Sequence, residues 1–310
     1  MEDKFTSTGI KILHHPNVVE FIQRKLAMPI SLQVSPTSRC NLNCSFCSNV
    51  NRDKDEELPF EVIGVLLTKL RLLGLRTVEW TGGGDPTLYS QINKIIYFAH
   101  ITGLKQGFIT NGIKIVDNLS SKSLDALHWL RISLNSLDYV KRIEVPNING
   151  TLGFSYVMND NTTPETIAKL ITYAKMYNPT YVRVVPNCLA TDKEQENNND
   201  VFSKMIDDWG HPFFYQAKRF EKPKRCWWGY FKPFALHDGW VYRCSSVVLN
   251  YDADRKFSDQ YRWCRIEELP DVYKKEMIPF DPVNCNHCVF KSQNDLIDSI
   301  INPDGMEDFV

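Results

Sequence analysis

The sequence predicts an α/β fold, an open or partial (β/α)6 barrel followed by a small cysteine-rich domain containing a β-hairpin. Three observations carry that expectation. Between residues 30 and 190, short β-rich runs alternate with amphipathic stretches, the pattern of a parallel sheet with crossover helices. About six strand-helix units fill this span, too few for a closed eight-stranded barrel. Nine cysteines form an early group (Cys40, Cys44, Cys47) and a late group (Cys226, Cys244, Cys264, Cys285, Cys288), with Cys188 isolated between them.

The strands are expected at residues 30–34, 77–80, 106–109, 130–134, 153–158 and 181–185, each a short run rich in β-formers. Helical periodicity is clearest at residues 59–73, where Val62, Val65, Leu66, Leu70 and Leu73 share a side. It recurs at 164–176 through Ile167, Leu170, Ile171 and Ala174. Residues 191–200 (TDKEQENNND) are polar and acidic and read as an exposed loop. The basic cluster Lys218, Arg219, Lys222, Lys224 and Arg225 reads as a solvated surface, with a phosphate or acidic-peptide contact as the sharper alternative. Residues 234–237 and 240–244 flank Asp238-Gly239, a strong hairpin signal because Gly accepts the positive φ of a tight turn. The chain thus divides into an N-terminal extension (1–29), a barrel (30–190), a linker (191–221), a cysteine-rich domain (222–292) and a tail (293–310).

The 310 residues are 43% hydrophobic and carry 36 Lys plus Arg against 37 Asp plus Glu, so the chain has an ordinary core and a net charge of −1. No overall basic field exists, and a nucleic-acid or membrane-surface partner would need a local patch. The sequence has neither a bilayer-length apolar run nor a signal-peptide pattern, which predicts a cytoplasmic protein. Thiols stay reduced there, so clustered cysteines point to metal before disulfides.

Cys40-x3-Cys44-x2-Cys47 follows the first strand directly. Three thiolates so close can converge on one cluster and leave one iron without a protein ligand. A structural zinc site is disfavoured, since no fourth Cys or His is near in sequence. With Phe46 before the last cysteine, the segment resembles the CxxxCxΦC signature of the radical S-adenosylmethionine (radical SAM) superfamily, whose fold is a partial TIM-like barrel. The resemblance covers roughly residues 30–190. Thr81-Gly82-Gly83-Gly84-Asp85-Pro86, after the second strand, is similar to the family's GGEP segment, which lines the methionine moiety of the cofactor. Asp stands where Glu is usual, so a direct contact from Asp85 requires closer backbone than one from Gly83 and Gly84.

Later strands also end in polar residues, Asn111, Ser133, Asn135, Asn159 and Asn187 with Cys188, and parallel barrels bind ligands at that end. The resemblance implies that Ser133 or Asn135 meets the ribose and carboxylate of S-adenosylmethionine, with Asn111 and Arg183 assisting. It further implies a [4Fe-4S] cluster that cleaves S-adenosylmethionine reductively to a 5′-deoxyadenosyl radical, which abstracts hydrogen from a substrate C–H. A thiol at Cys188 could return hydrogen to a substrate radical, as in some epimerases of the superfamily.

Cys226-x12-Gly239-x4-Cys244 and Cys285-x2-Cys288 offer four thiolates that could hold zinc or an iron–sulfur cluster, which spacing alone does not separate. The pattern resembles the twitch domain, the shortened form of SPASM, and so implies one auxiliary [4Fe-4S] cluster, with Cys264 as the competing ligand. Relatives of this kind oxidise, epimerise or cross-link small molecules and ribosomal peptides. The short N-terminal region leaves no room for a winged-helix leader-binding domain, which tilts the expectation to a sugar or its nucleotide-linked form over a peptide. A reductant such as flavodoxin or ferredoxin is implied, without nucleic acid or membrane. The reading of another class is a non-enzymatic zinc or iron–sulfur protein.

Overall fold

The computed structural model describes residues 2–50, 52–249, 259–286 and 288–306. Its centre is one open sheet of ten strands, in the order β10-β9-β8-β1-β2-β3-β4-β5-β6-β7. The strands are β1 (Ser31–Val34), β2 (Thr77–Trp80), β3 (Lys105–Thr110), β4 (Trp129–Ser133), β5 (Thr151–Val157), β6 (Tyr181–Val185), β7 (Phe213–Tyr215), β8 (Phe234–Ala235), β9 (Trp240–Tyr242) and β10 (Arg262–Arg265). Strands β1 to β7 pair in parallel, each with the next, which confirms the open α/β barrel.

Alternation along each strand divides its side chains between two faces. Leu32, Val34, Val78, Trp80, Leu130, Ile132, Val182 and Val184 are buried in the main core. Helices α2 (Phe60–Leu72), α3 (Ile92–Ile101) and α5 (Pro164–Tyr177) supply Leu66, Leu67, Ile95, Ile96 and Leu170 to the same core. The opposite parity, with Gln33, Glu79, Arg131 and Arg183, faces the barrel lumen. Four further helices are α1 (Val18–Gln23), α4 (Ser121–Asp125), α6 (Asp192–Trp209) and α7 (Lys291–Ile301).

Residues 191–221 correct the reading of a loop and linker. They form α6 and then β7, the seventh parallel strand. The acidic composition concealed two local signals. Thr191 and Glu194 make a reciprocal capping box, with the Thr191 N–H donating to Glu194 Oε2 at 2.8 Å. Phe202, Met205, Ile206 and Trp209 then recur at helical spacing against the core, and Phe202 meets Tyr215 across the crossover.

The cysteine-rich region is not a separate layer. Strand β8 pairs in parallel with β1, and β9 and β10 extend the sheet antiparallel, with Gly239 at φ 82° in the hairpin turn. The N-terminal residues Ile12, Val18 and Ile22 pack with Trp227, Trp228, Phe231 and Ile297, so both chain ends cover one side of the barrel.

Replacing Thr191 with Ala is expected to lower stability by about 1 kcal/mol through loss of the cap, read as a shifted denaturant midpoint with unchanged slope. An unchanged midpoint would show that α6 is held by packing alone.

Candidate active site

The loop after β1 carries the three early cysteines, and three other segments reach them. Asn111, after β3, points its Nδ2 at Cys40 Sγ (3.8 Å) and donates to Asn41 Oδ1 (2.7 Å). Arg52 brings Nη1 to 4.0 Å from Cys47 Sγ while donating to the carbonyls of Ser38 (2.7 Å) and Asn49 (2.6 Å). The Tyr139 hydroxyl, after β4, lies near Cys44 and favours its thiolate. Burial raises the Cys40 thiol and pushes Cys44 up to about 11, and neighbouring thiols add to it. Each sulfur therefore has a polar neighbour that favours a thiolate. Sequence reading missed Arg52 and Tyr139, because neither lies in a recognisable pattern. Phe46 is half-buried in the loop.

Residues 82–85 dock on this loop through backbone hydrogen bonds. Gly83 N–H donates to Ser35 Oγ (2.6 Å), Gly84 N–H to Thr37 O (3.0 Å) and Asp85 N–H to Arg39 O (2.7 Å). A Cβ on Gly84 would stand 2.2 Å from Arg39 O, so only glycine allows the approach. Asp85, 3% exposed, spends its carboxylate on Thr87 N (3.0 Å) and Oγ1 (2.6 Å), Thr110 Oγ1 (2.9 Å) and Asn111 N (2.7 Å). Burial raises its pKa, and the Thr87, Asn111 and Thr110 donors offset part of that. Asp85 thereby ties the ends of β2 and β3 together.

Other expected residues divide similarly. Asn135 is a buried plug, its amide paired with the backbone of Val157 at 2.7 and 2.9 Å, and Ser133 faces it at 3.4 Å. Arg183 lines the lumen and donates to Gln216 Oε1 at 3.0 Å. Cys188 is set against the Pro186 carbonyl, and burial raises its pKa against the pull of Lys218 and Arg183. Below the mouth lies a cavity of about 1060 Å³ lined by the inward residues of β1 to β6 and by both chain ends.

Cys226, Cys244, Cys285 and Cys288 line a second, small cavity. Cys264 is not among its lining residues and packs in the main core on β10. Burial first, then neighbouring thiols, holds Cys244 well above its usual range and Cys285 at about 11. Burial also takes Cys226 to about 12, against the pull of Arg243. Arg243 has its buried Nη1 without a hydrogen-bond partner among the described residues and stacks on Trp263 at 4.4 Å. Four thiols, a half-buried guanidinium and no carboxylate or imidazole among the described lining residues fit an anionic, thiolate-bound metal group. Among the described residues, no three His, Cys, Asp or Glu are gathered at the spacing of a single metal ion.

His237, on the hairpin, joins the two regions. Its Nδ1 lies 2.7 Å from Glu56 Oε2 and its ring covers Gly83, where a Cβ would stand 2.5 Å from Nε2. Although this contact has ion-pair distance, burial lowers His237 to about 4 and raises Glu56, so burial works against a charged pair. An unfolded chain takes up the His237 proton near pH 6.5 while the fold resists until about 4. Stability is therefore expected to fall as pH drops through that window, by up to about 3 kcal/mol. Unfolding curves at pH 7 and 5 should show a loss that His237→Gln reduces; equal losses in both proteins would remove His237 as its source.

Comparison with known proteins bears on the family and the fold. A GTP 3′,8-cyclase of Clostridium botulinum (strain Okra / Type B1) is 34% identical over 112 residues, covering 34% of this chain and 35% of that protein. The chain thus spans about a third of that relative's length. The fold is similar to Streptococcus suis SuiB bound to S-adenosylmethionine (TM-score 0.58, 15% identity, 84% of this chain and 69% of that one). It is also similar to anSMEcpe with AdoMet and the Kp18Cys peptide (TM-score 0.54, 13% identity, 88% and 84%). Among the described residues, no helix is long and apolar enough to cross a membrane. The family model described as the Radical SAM superfamily matches residues 34–189, half of the chain, and the chain belongs to that superfamily.

Proposed function

We propose that the protein abstracts hydrogen from a small molecule held in the barrel lumen, with Cys40, Cys44 and Cys47 holding the catalytic cluster. The observation that carries this reading is the approach of Asn111, Arg52 and Tyr139 to those three sulfurs, in a barrel whose lumen holds a cavity of about 1060 Å³. That volume suits a small-molecule ligand. Bound at this mouth, the [4Fe-4S] cluster and S-adenosylmethionine supply the hydrogen-abstracting chemistry.

The chain's own residues supply position and charge. Asn111, Arg52 and Tyr139 donate toward the sulfurs and stabilise them as thiolates. Gly83 and Gly84 hold the backbone against the cysteine loop where the methionine end of the cofactor would lie, and half-buried Ser133, at the end of β4, would meet its ribose or carboxylate. Asp85 is a positioning residue that fixes Thr110 and Asn111. Cys226, Cys244, Cys285 and Cys288 hold one auxiliary [4Fe-4S] cluster, with Arg243 balancing its negative charge. Oxidation or epimerisation of a sugar or nucleotide-linked substrate, with electrons from a flavodoxin or ferredoxin in the cytoplasm, is the reaction class proposed. The name of the GTP-cyclising relative favours a nucleotide-like substrate. The peptide named with the solved neighbour favours the second reading, maturation of a ribosomal peptide.

Anaerobic reconstitution should load about eight irons per chain, and the triple change of Cys40, Cys44 and Cys47 to Ala should leave about four. Wild type, reduced with dithionite, should form 5′-deoxyadenosine from S-adenosylmethionine and the triple variant none. Fully loaded wild type that forms none with several reductants would refute the reading. Asp85→Ala should lose at least about 2 kcal/mol of stability without any ligand, because it strands buried donors. A variant as stable as wild type but unable to bind S-adenosylmethionine would make Asp85 a direct contact instead.

A further inference from the structure

Arg243, next to Cys244 in the chain, sits in a cage of three aromatic rings. Its guanidinium carbon lies 4.4 Å from the centre of the Trp263 ring, 5.1 Å from Phe280 and 5.7 Å from Tyr230. Each ring is itself anchored. Phe280 exchanges two backbone hydrogen bonds with Cys226, at 3.1 and 3.0 Å. The Tyr230 hydroxyl donates to the Ile278 carbonyl (3.1 Å) and accepts from the Ile278 N–H (3.0 Å), and Trp263 meets Tyr230 edge to face at 4.9 Å. Cation–π attraction to three fixed rings holds the guanidinium in place.

Rings match the charge of a guanidinium but offer no lone pair to its N–H groups. Nη1 of Arg243 is buried with no acceptor among the described residues, although the residue as a whole is half-buried. A side chain of this length could carry Nη1 out to water, yet the cage keeps it at the wall of the cavity that Cys226, Cys244, Cys285 and Cys288 line. A buried donor without a partner costs folding free energy, and such a cost is offset where a bound group supplies the acceptor. Asn294, on the same wall, differs in this respect. Its Oδ1 accepts from the N–H groups of Trp227 (2.6 Å) and Trp228 (2.9 Å), and its Nδ2 donates to the Phe290 carbonyl (2.8 Å). Arg243 is thus an oriented, cationic donor that the protein itself leaves unsatisfied beside four thiols.

We propose that Arg243 Nη1 donates to a sulfur of the auxiliary [4Fe-4S] cluster and raises its reduction potential. The proposal deepens the auxiliary-cluster reading above and rests on it. The direction follows from charge. Reduction adds an electron to an already anionic group, so a cation and its hydrogen bond stabilise the reduced form more than the oxidised one. A residue that merely held the three rings together would leave the potential where it is.

The test is a mediated redox titration of the anaerobically reconstituted chain, followed by electron paramagnetic resonance, with iron and zinc counted in every sample. Wild type should show two cluster couples, and the one that persists when Cys40, Cys44 and Cys47 are changed to Ala is the auxiliary couple. Arg243→Met removes the charge and the donor while keeping much of the stem. It should shift the auxiliary reduction equilibrium at least about tenfold toward the oxidised form, about 59 mV for one electron, and leave the other couple in place. Arg243→Gln keeps a neutral donor and Arg243→Lys keeps the charge without the planar fork, so each should shift it by less. The compared proteins differ at this one residue, so every other charge near the cavity is common to them. An unmoved auxiliary couple in fully loaded Arg243→Met would overturn the proposal, and so would equal shifts of both couples. If Arg243→Met does not load, the Gln and Lys variants carry the comparison. Loss of the auxiliary irons in all three would make Arg243 structural and overturn the proposal as well. Wild type with about four irons and one zinc refutes the auxiliary-cluster reading, whereas about eight irons with a couple indifferent to Arg243 sinks only this proposal.

Discussion

The docking of residues 82–85 onto residues 35–39 is the constraint on which the site depends. Three backbone N–H groups from the glycine-rich turn end on Ser35, Thr37 and Arg39, and Gly84 permits an approach that any side chain would block. The cysteine loop has little regular structure of its own, so these bonds and the Arg52 clamp give it a defined shape. Asp85 extends the same construction to β3, where it holds the residue that reaches Cys40. A carboxylate with four protein donors acts as a rivet. In that role the shorter side chain of Asp is adequate, since its partners come from neighbouring strand ends.

A second constraint is continuity of the sheet. Pairing of β8 with β1 places the late cysteines against the element that leads into the early ones. His237 closes the arrangement by resting on Gly83 while its other nitrogen meets Glu56. Two groups of thiols far apart in sequence are thus parts of one packed body. Both chain ends, joined through Ile12, Ile22, Trp228 and Ile297, wall the lumen on the remaining side.

Much of the fold was legible in the residues. Strands at 77–80 and 181–185 match β2 and β6, and the others differ from the structure by a residue or two at their ends, where local signals are weakest. The failure at 191–221 has a definite cause. Weighting overall polarity hid a Thr-x-x-Glu cap and an apolar stripe confined to the second half of the helix. Of the candidate site, the cysteine loop and the glycine run that docks on it were legible as motifs. Arg52, Tyr139 and His237 were not, because their roles arise from approaches across 5 to 181 residues of chain.

Spacing within a few residues is a property of the chain itself, so the sequence determined the strand and helix alternation, the two cysteine groups and the turn that needs glycine. Tertiary structure decided where each polar side chain points and what it meets. Asp85 turned inward, Cys264 packed in the main core apart from the cavity that the other four late cysteines line, and Cys188 was set against the Pro186 carbonyl. Charge shows the difference most clearly. A net charge of −1 is a sum over all faces, and only the alternation of side chains across a curved sheet gathers Arg131 and Arg183 into one lumen.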